Sequence, residues 1–462
     1  MVIASIDIQG GKVVQLKQGT ELALLRENAV ELAEEFDRYG EVAVIDLDAA
    51  MGKGPAGSHY NLEMIKPLLR KAHCRVGGGV RTPEQARELL SMGARKIIVG
   101  STAFRPAGKT GAGASGGEFG LNTPFLEALA KKIGRERIII AVDARSTPSG
   151  DYEITVDGWK TPTGLPLLET AKAAEPFASE LLFTCVEREG MMMGINLNVV
   201  KALREATACS LTVAGGVSSL EEIRAIAALG CDVQLGMALY TGVIALADAF
   251  TASLNWTKGA ASCGASCGAT CGTNCAANCA ANPLLPVIVQ SPDGQVLMTG
   301  FADEEAVSET FKRGKVCFHS RTRNRLWMKG EHSGNTLRLI RLRADCDRDA
   351  ILAIAEPAGP VCHTGAYSCF ETGRRYTWEY LQDVIAERFR NPRPGSYTAT
   401  LDNELVREKV REEAEELCTA QTREEIIWEA ADLLYFSTAL LTRAGVSVGE
   451  VLDELDRRHK GR

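Results

Sequence analysis

The chain has 462 residues, 45% of them hydrophobic and 24% charged, a balance that excludes a disordered or fibrous protein and suits a folded globular one. At about 150 residues per domain, this length predicts three domains. A formal net charge of −7 argues against a nucleic-acid-binding surface, and no apolar run approaches the ~18 residues that would span a membrane.

Residues 1–7 read as a strand, with no basic stretch ahead of an apolar core, so no export signal is expected. Fourteen cysteines in a long chain without such a signal point to metal ligands and free thiols rather than to a disulfide framework, and to a cytoplasmic protein. Through residue 255, short β-branched runs at 42–47, 96–99, 137–142 and 210–213 alternate with amphipathic helical stretches, which implies a parallel sheet with helical crossovers. An internal repeat underlies this alternation. Gly78-Gly79-Val80 and Gly215-Gly216-Val217 stand 137 residues apart, as do Gly93 and Gly230, while Asp7 and Asp143 stand 136 apart. Two halves of four βα units each predict an eight-stranded α/β TIM (β/α)8 barrel with twofold pseudosymmetry. The glycine-rich stretch 105–123 reads as a flexible insertion. Its Gly108-Lys109-Thr110 is not a phosphate loop, because the position five residues before Gly108 is Ala103.

A low-complexity segment follows at 258–282. Cys263, Cys267, Cys271, Cys275 and Cys279 recur every four residues among Gly, Ala, Ser, Thr and Asn. Metal sequestration and a tether grown by duplication are both open. The lack of Cys-x2-Cys pairs, and glycines and asparagines that disfavour an aligning helix, favour the tether.

The densest chemistry comes next: Asp345-Cys346-Asp347-Arg348-Asp349, then Cys362-His363-Thr364-Gly365 and Ser368-Cys369-Phe370. Read as a strand, the first run puts Asp345, Asp347 and Asp349 on one face and Cys346 on the other. Hard oxygens suit Mg²⁺ and soft thiolates suit Zn²⁺, and three thiolates without a fourth protein ligand leave the open position that marks a catalytic zinc. The stretch from 284 to 370 resembles phosphoribosyl-AMP cyclohydrolase of histidine biosynthesis. The match includes Leu285-Pro286-Val287-Ile288-Val289-Gln290, the block from Ser320 to Glu331, Ser333-Gly334-Asn335 and the metal motifs. The resemblance implies Mg²⁺ on Asp345, Asp347 and Asp349, and Zn²⁺ on Cys346, Cys362 and Cys369, with Cys346 supplied across a dimer. It also implies substrate contacts from Arg321, Arg323 and Lys329.

Four helices are predicted thereafter, at 376–390, 405–419, 423–444 and 447–459, with connections short enough for a compact bundle. Glu412, Glu413 and Glu416 lie on one, and Glu429 and Asp432 on the next, spaced to share a face. Five such acids repel unless a cation such as Mg²⁺ joins them. Ala430-Ala431 and Leu433-Leu434 around the second pair imply that at least one acid turns inward. This segment resembles phosphoribosyl-ATP pyrophosphohydrolase through E-E-x-x-E, E-x-x-D and Pro394-Gly395-Ser396-Tyr397-Thr398. The resemblance implies a diphosphate-cleaving site with Glu413 catalytic.

The N-terminal part resembles the phosphoribosyl isomerase of the same pathway through Ile6-Asp7-Ile8, Val44-Ile45-Asp46-Leu47-Asp48, the run Val76 to Arg81, Asp157-Gly158-Trp159 and Ala214 to Ser219. That resemblance implies Asp7 as general base, Asp143 as general acid, a retained Thr184, and phosphate-binding turns at Gly79, Ser101, Gly216 and Gly236. The sequence departs from the family pattern at Gln15, where the family has arginine, and at Glu189-Gly190-Met191 followed by Met192-Met193, where it has Asp-Gly-Thr. The expected organisation is multidomain: a barrel at 1–255, a linker at 256–283, a small mainly-β (α+β) metal-binding domain at 284–373 and an all-α helical bundle at 374–462. The expected function is a multifunctional histidine-biosynthesis enzyme on small phosphoribosyl nucleotides, with neither nucleic-acid nor membrane partners. It is expected to work as a homodimer or higher homo-oligomer, and the barrel is either an isomerase or a noncatalytic scaffold.

Overall fold

Eight short strands rich in Val, Ile and Ala close into a parallel barrel in the computed structural model, which describes residues 1–17, 21–52, 61–104, 119–258 and 283–460. They are β1 (Val2–Gln9), β2 (Val42–Asp46), β3 (Cys74–Gly77), β4 (Lys96–Val99), β5 (Ile138–Ser146), β6 (Glu180–Cys185), β7 (Ser210–Ala214) and β8 (Asp232–Leu235). Each pairs in parallel with the next, and β8 pairs with β1 to close the ring. Helices cover the outside, so the strands are buried on both faces and read as continuous apolar runs. Inside the ring, Ile98, Ile139, Ala141, Leu182 and Ala214 pack with Ile45 as a solid plug. The strand expected at 96–99 lies there, whereas β5 outruns its apolar stretch because it continues into an antiparallel arm with Tyr152–Val156.

The pseudosymmetry is physical as well as sequential. A side-chain carbon at Gly78 would sit 2.2 Å from the Asp46 carbonyl, and one at Gly215 would sit 2.6 Å from that of Cys185, so each half needs glycine where the chain leaves a strand. Capping boxes then start the following helices at Thr82/Gln85 and Ser219/Glu222. The N-terminal ends of the strands are sealed by a buried ionic network. Arg75, 1% exposed, pairs with Glu41 and Glu180, and Glu180 also accepts from Lys96 at 2.7 Å and Thr212 at 2.6 Å.

The second unit is a four-stranded sheet of β9 (Leu285–Gln290), β10 (Val296–Ala302), β13 (Leu337–Ala344) and β14 (Ile351–Pro357), in the order β10-β9-β14-β13. A hairpin of β11 (Cys317–Ser320) and β12 (Arg325–Met328) and the helix Glu304–Arg313 complete it. Its core takes in Phe250, Leu254 and Trp256 from the end of the barrel and the start of the expected linker, so the two units share one apolar cluster. Tyr39 packs tilted on Phe311 and Phe250 meets it edge to face, with ring centroids 4.4 and 5.4 Å apart. Arg341 and Arg343 pair with Asp37 at 3.0 and 3.1 Å, and the Leu342 amide donates to the Arg38 carbonyl. Asp37, Arg38 and His73 precede β2 and β3, so this unit docks on the N-terminal end of the barrel.

The helices Trp378–Arg390, Asn403–Thr419, Arg423–Arg443 and Val448–Lys460 form the third unit, around Leu381, Ile385, Leu401, Val406, Phe436 and Ala439. The second starts two residues earlier than expected because Asp402 caps it, accepting from the amides of Glu404 and Leu405. The last helix packs against the barrel helix Pro83–Ser91. Among the described residues no helix is long and apolar enough to cross a membrane. The cysteine repeat, and the glycine-rich insertion up to residue 118, lie outside the described residues.

Candidate active and metal sites

At the C-terminal ends of the barrel strands a cavity of about 740 Å³ opens, lined among others by Asp7, Asp143, Thr184 and Glu189. Asp7 stands near the end of β1 and accepts from Ser5 Oγ at 2.7 Å, and burial lifts its pKa to about 6. Asp143, near the end of β5, accepts hydrogen bonds from the Thr184 hydroxyl and the Trp159 indole; burial outweighs both and raises its pKa. Trp159 reaches Asp143 from the turn Asp157-Gly158-Trp159, whose three residues all have left-handed φ, +55°, +65° and +69°. Two of these are non-glycine, a strained arrangement of the sort that persists where surrounding contacts hold it. Here the holding contacts run from the Asp157 amide to Ser101 Oγ at 2.9 Å and from Arg145 to the Trp159 carbonyl.

Glu189 is the residue that sequence reasoning missed. It counted only as a departure from a family pattern, yet its carboxyl faces Asp7 and Asp143. Burial, and then those two charges, push its pKa up to about 8. Its signal was available: an acid in the loop after β6 occupies the same end of the barrel as the other two.

Gly79, Ser101, Gly216 and Gly236 all line this cavity. Gly79 and Gly216 have φ of +69° and +96°, and side chains there would strike the Ala49 backbone and the Arg188 side chain at 2.6–2.8 Å. At Gly236 the neighbour is Gln15, whose carboxamide is 3% exposed and whose Nε2 has no hydrogen-bond partner among the described residues. Of the three methionines, Met192 lines the cavity, while Met191 and Met193 are 41% and 66% exposed.

In the second unit, the strand expected at 345–349 is a turn. β13 ends at Ala344, and the chain reverses because Arg348 adopts φ +64° while Asp345 accepts from the amides of Asp349 and Ala350 at 3.0 and 3.1 Å. Folding back, rather than alternation, brings carboxylate oxygens of Asp345, Asp347 and Asp349 within 4.8 Å of one another. Lys258 pairs with Asp347 and lies 3.7 Å from Asp349, so a cation already sits against the cluster. Burial and the two neighbouring carboxylates raise the Asp345 pKa. This open oxygen set fits Mg²⁺, which retains waters beside a few carboxylates.

The thiols divide. Cys362 and Cys369 interact, and Cys362 accepts from Thr364 Oγ1 at 3.1 Å, which lowers its pKa. Burial and the Cys362 thiolate raise that of Cys369, whereas the charge of Lys329 opposes the rise. Cys346 is exposed on the carboxylate turn, and the three sulfurs do not gather within 4.8 Å in one copy of the chain. Two thiols alone fit an incomplete zinc set, one that a cysteine from a second copy would extend. Arg321 lies over the Phe301 ring at 3.9 Å and Arg323 is exposed, both in the turn joining β11 to β12.

In the helical unit Glu413, Glu416 and Glu429 gather within 4.8 Å. Glu413, 6% exposed, is the inward acid, so the inward turn lies on the first helix and not on the second, where it was expected. Burial comes first, then Asp432 and Glu416, in raising its pKa. Asp432 thus borders the cluster, but Glu412 is drawn to Lys409 at 2.7 Å and stands outside it. These oxygens also fit Mg²⁺.

Three family models match the chain in succession: histidine biosynthesis protein over residues 1–245, phosphoribosyl-AMP cyclohydrolase over 298–371 and phosphoribosyl-ATP pyrophosphohydrolase over 379–459. The chain is also similar to the histidine biosynthesis bifunctional proteins HisIE of Pyrococcus furiosus and Escherichia coli, each 42% identical over 38% of this chain and 92% of the relative. The Campylobacter jejuni HisIE is 44% identical over 38% of this chain and 91% of its own length.

Proposed function

For a chain that belongs to the histidine biosynthesis protein family, we propose that three units act on three consecutive phosphoribosyl nucleotides. The helical unit is a phosphoribosyl-ATP pyrophosphohydrolase and the middle unit a phosphoribosyl-AMP cyclohydrolase. In our reading the helical unit releases diphosphate and leaves phosphoribosyl-AMP, the middle unit opens the adenine ring between N1 and C6, and the barrel isomerises that product.

In the helical unit, Glu413, Glu416 and Glu429, with Asp432 beside them, would hold Mg²⁺, which supplies charge stabilisation for the departing diphosphate. The buried Glu413 is the group placed to hold a proton there. In the middle unit, Asp345, Asp347 and Asp349 would hold Mg²⁺. Cys362 and Cys369, joined by Cys346 of a second copy, would hold Zn²⁺, which activates water toward the ring. Arg321, Arg323 and Lys329 would supply positive charge for the substrate's phosphate.

The isomerase reading rests on one observation: Asp7, Asp143 and Glu189 converge on one cavity at the catalytic end of the barrel. Asp143, oriented by Thr184 and Trp159, gives its proton to open the aminated ribose, and Asp7 removes the C2′ proton. Glu189, protonated at pH 7, adds no further charge beside Asp7. The turns at Gly79, Ser101, Gly216 and Gly236 bring backbone amides to two phosphates. The test is turnover by the purified full chain on phosphoribosyl-ATP, phosphoribosyl-AMP and the ring-opened product in turn. Conversion of all three is expected; failure on the third alone would leave the barrel a scaffold.

A further inference from the structure

The carboxylate turn of the middle unit is fastened to the barrel, and its central residue makes the fastening. Arg348 has φ +64°, a backbone state that favours glycine, yet the residue is arginine and is 8% exposed. Its guanidinium reaches out of the turn to the barrel, donating to the Ala227 carbonyl at 2.9 Å and to the Cys231 carbonyl and Asp232 Oδ1 at 2.8 Å. Ala227 lies at the C-terminal end of the helix Leu220–Ala228, where the helix dipole favours a cation. The barrel also grips the turn's backbone. The Asn255 amide donates to the Arg348 carbonyl at 2.8 Å and Asn255 Nδ2 to the Asp347 carbonyl at 3.4 Å.

We propose that Arg348 is a positioning residue through which the barrel holds Asp347 and Asp349 in register with Asp345, so that the barrel sets the divalent-cation affinity of the cyclohydrolase turn. The inference rests on the reading of these aspartates as a Mg²⁺ site. Three carboxylates within 4.8 Å repel one another, the single Lys258 ammonium beside Asp347 and Asp349 offsets only part of this, and a free turn would relax by spreading them. A turn pinned at its centre by Arg348 and at its backbone by Asn255 cannot spread, so the ordering is complete before the cation arrives. Preorganisation of this kind appears as affinity.

The test uses the zinc-loaded full chain with Glu416→Gln and Glu429→Gln, which silence the helical acidic cluster, and reads Mn²⁺ binding by electron paramagnetic resonance. Mn²⁺ prefers the same oxygen ligands as Mg²⁺. Arg348→Gly keeps the left-handed turn but loses the reach to the barrel, and should weaken Mn²⁺ binding roughly tenfold with zinc content unchanged. Saturating Mg²⁺ should then restore cyclohydrolase turnover to near that of the parent, a rescue that misfolding would not give. Asp232→Asn, made on the barrel alone, should weaken binding in the same direction. Unchanged Mn²⁺ affinity in Arg348→Gly overturns the proposal. If Arg348→Gly loses zinc or unfolds, Asp232→Asn decides, and unchanged affinity there overturns it. Parent protein without any Mn²⁺ site that Asp347→Asn removes would overturn the metal reading itself, and the inference with it.

Discussion

Glu189 should govern the alkaline side of the barrel's pH profile. Its pKa stands at about 8 against an ordinary 4.5, because burial and the charges of Asp7 and Asp143 both disfavour a third anion. At pH 7 Glu189 is therefore mostly protonated, while Asp7, at about 6, is mostly ionised. As pH rises through 6, Asp7 becomes competent as a base and kcat/KM rises. As pH rises through 8, Glu189 ionises, and kcat/KM falls by about tenfold per unit if the neutral form is required. The two apparent values belong to the coupled carboxyls as a set. A phosphate's second ionisation, near 6, overlays the acid limb, so the alkaline limb is the diagnostic one. Glu189→Gln keeps size and hydrogen bonding but cannot ionise. It should hold its pH 7 rate within about tenfold and shift the alkaline limb, leaving only the fall set by loss of the Asp143 proton. The assay is isomerase kcat/KM of the full chain between pH 5 and 9.5. A flat unmodified profile above pH 7.5, or an alkaline limb left unmoved by Glu189→Gln, would refute the reasoning.

Asp7→Asn and Asp143→Asn should each lower isomerase kcat by ~10²–10⁴, measured on the ring-opened substrate, since neither amide can trade the required proton. Cys362→Ser should abolish ring opening and bound zinc while diphosphate release from phosphoribosyl-ATP continues; normal ring opening by zinc-free protein would defeat the thiolate assignment. Glu413→Gln should lose phosphoribosyl-ATP hydrolysis yet still process phosphoribosyl-AMP, read by diphosphate release at limiting Mg²⁺. Arg75→Met should destabilise the chain by about 3–5 kcal/mol in urea unfolding, because Glu180 would remain buried without its main partner. Glu180 is held at about 2 against 4.5, so this stabilisation is present above pH 4.5 and fades as pH falls toward 2.

The barrel was legible because its signals are local and repeated: strand-length apolar runs, and glycines at 78 and 215 that no side chain could replace. The acids at 7 and 143 were legible by the same repeat. The carboxylate run was misjudged as a strand because D-x-D-x-D alternation is equally compatible with a turn, and nothing in the letters marks Arg348 as left-handed. Glu189 was hidden by comparison, since a glutamate in place of an aspartate looks like a loss until three strand ends bring it to its partners. The inter-unit contacts were illegible for a different reason. Asp37, Arg341, Arg343 and Asp232 are ordinary charged residues on ordinary elements, and ion pairs spanning more than 100 residues leave no periodic trace.

The two ends of the barrel have separate tasks. The cavity acids and the glycine turns occupy the C-terminal ends of the strands, whereas the middle unit is bolted to the N-terminal ends through Asp37, Asp232 and the shared Phe250–Trp256 cluster. Between them lie the apolar plug around Ile98, Ile139 and Leu182 and the Arg75–Glu180 network. On the proposed reading, fusion supplies the activities in equal number and, through Arg348, gives the carboxylate turn a rigid footing.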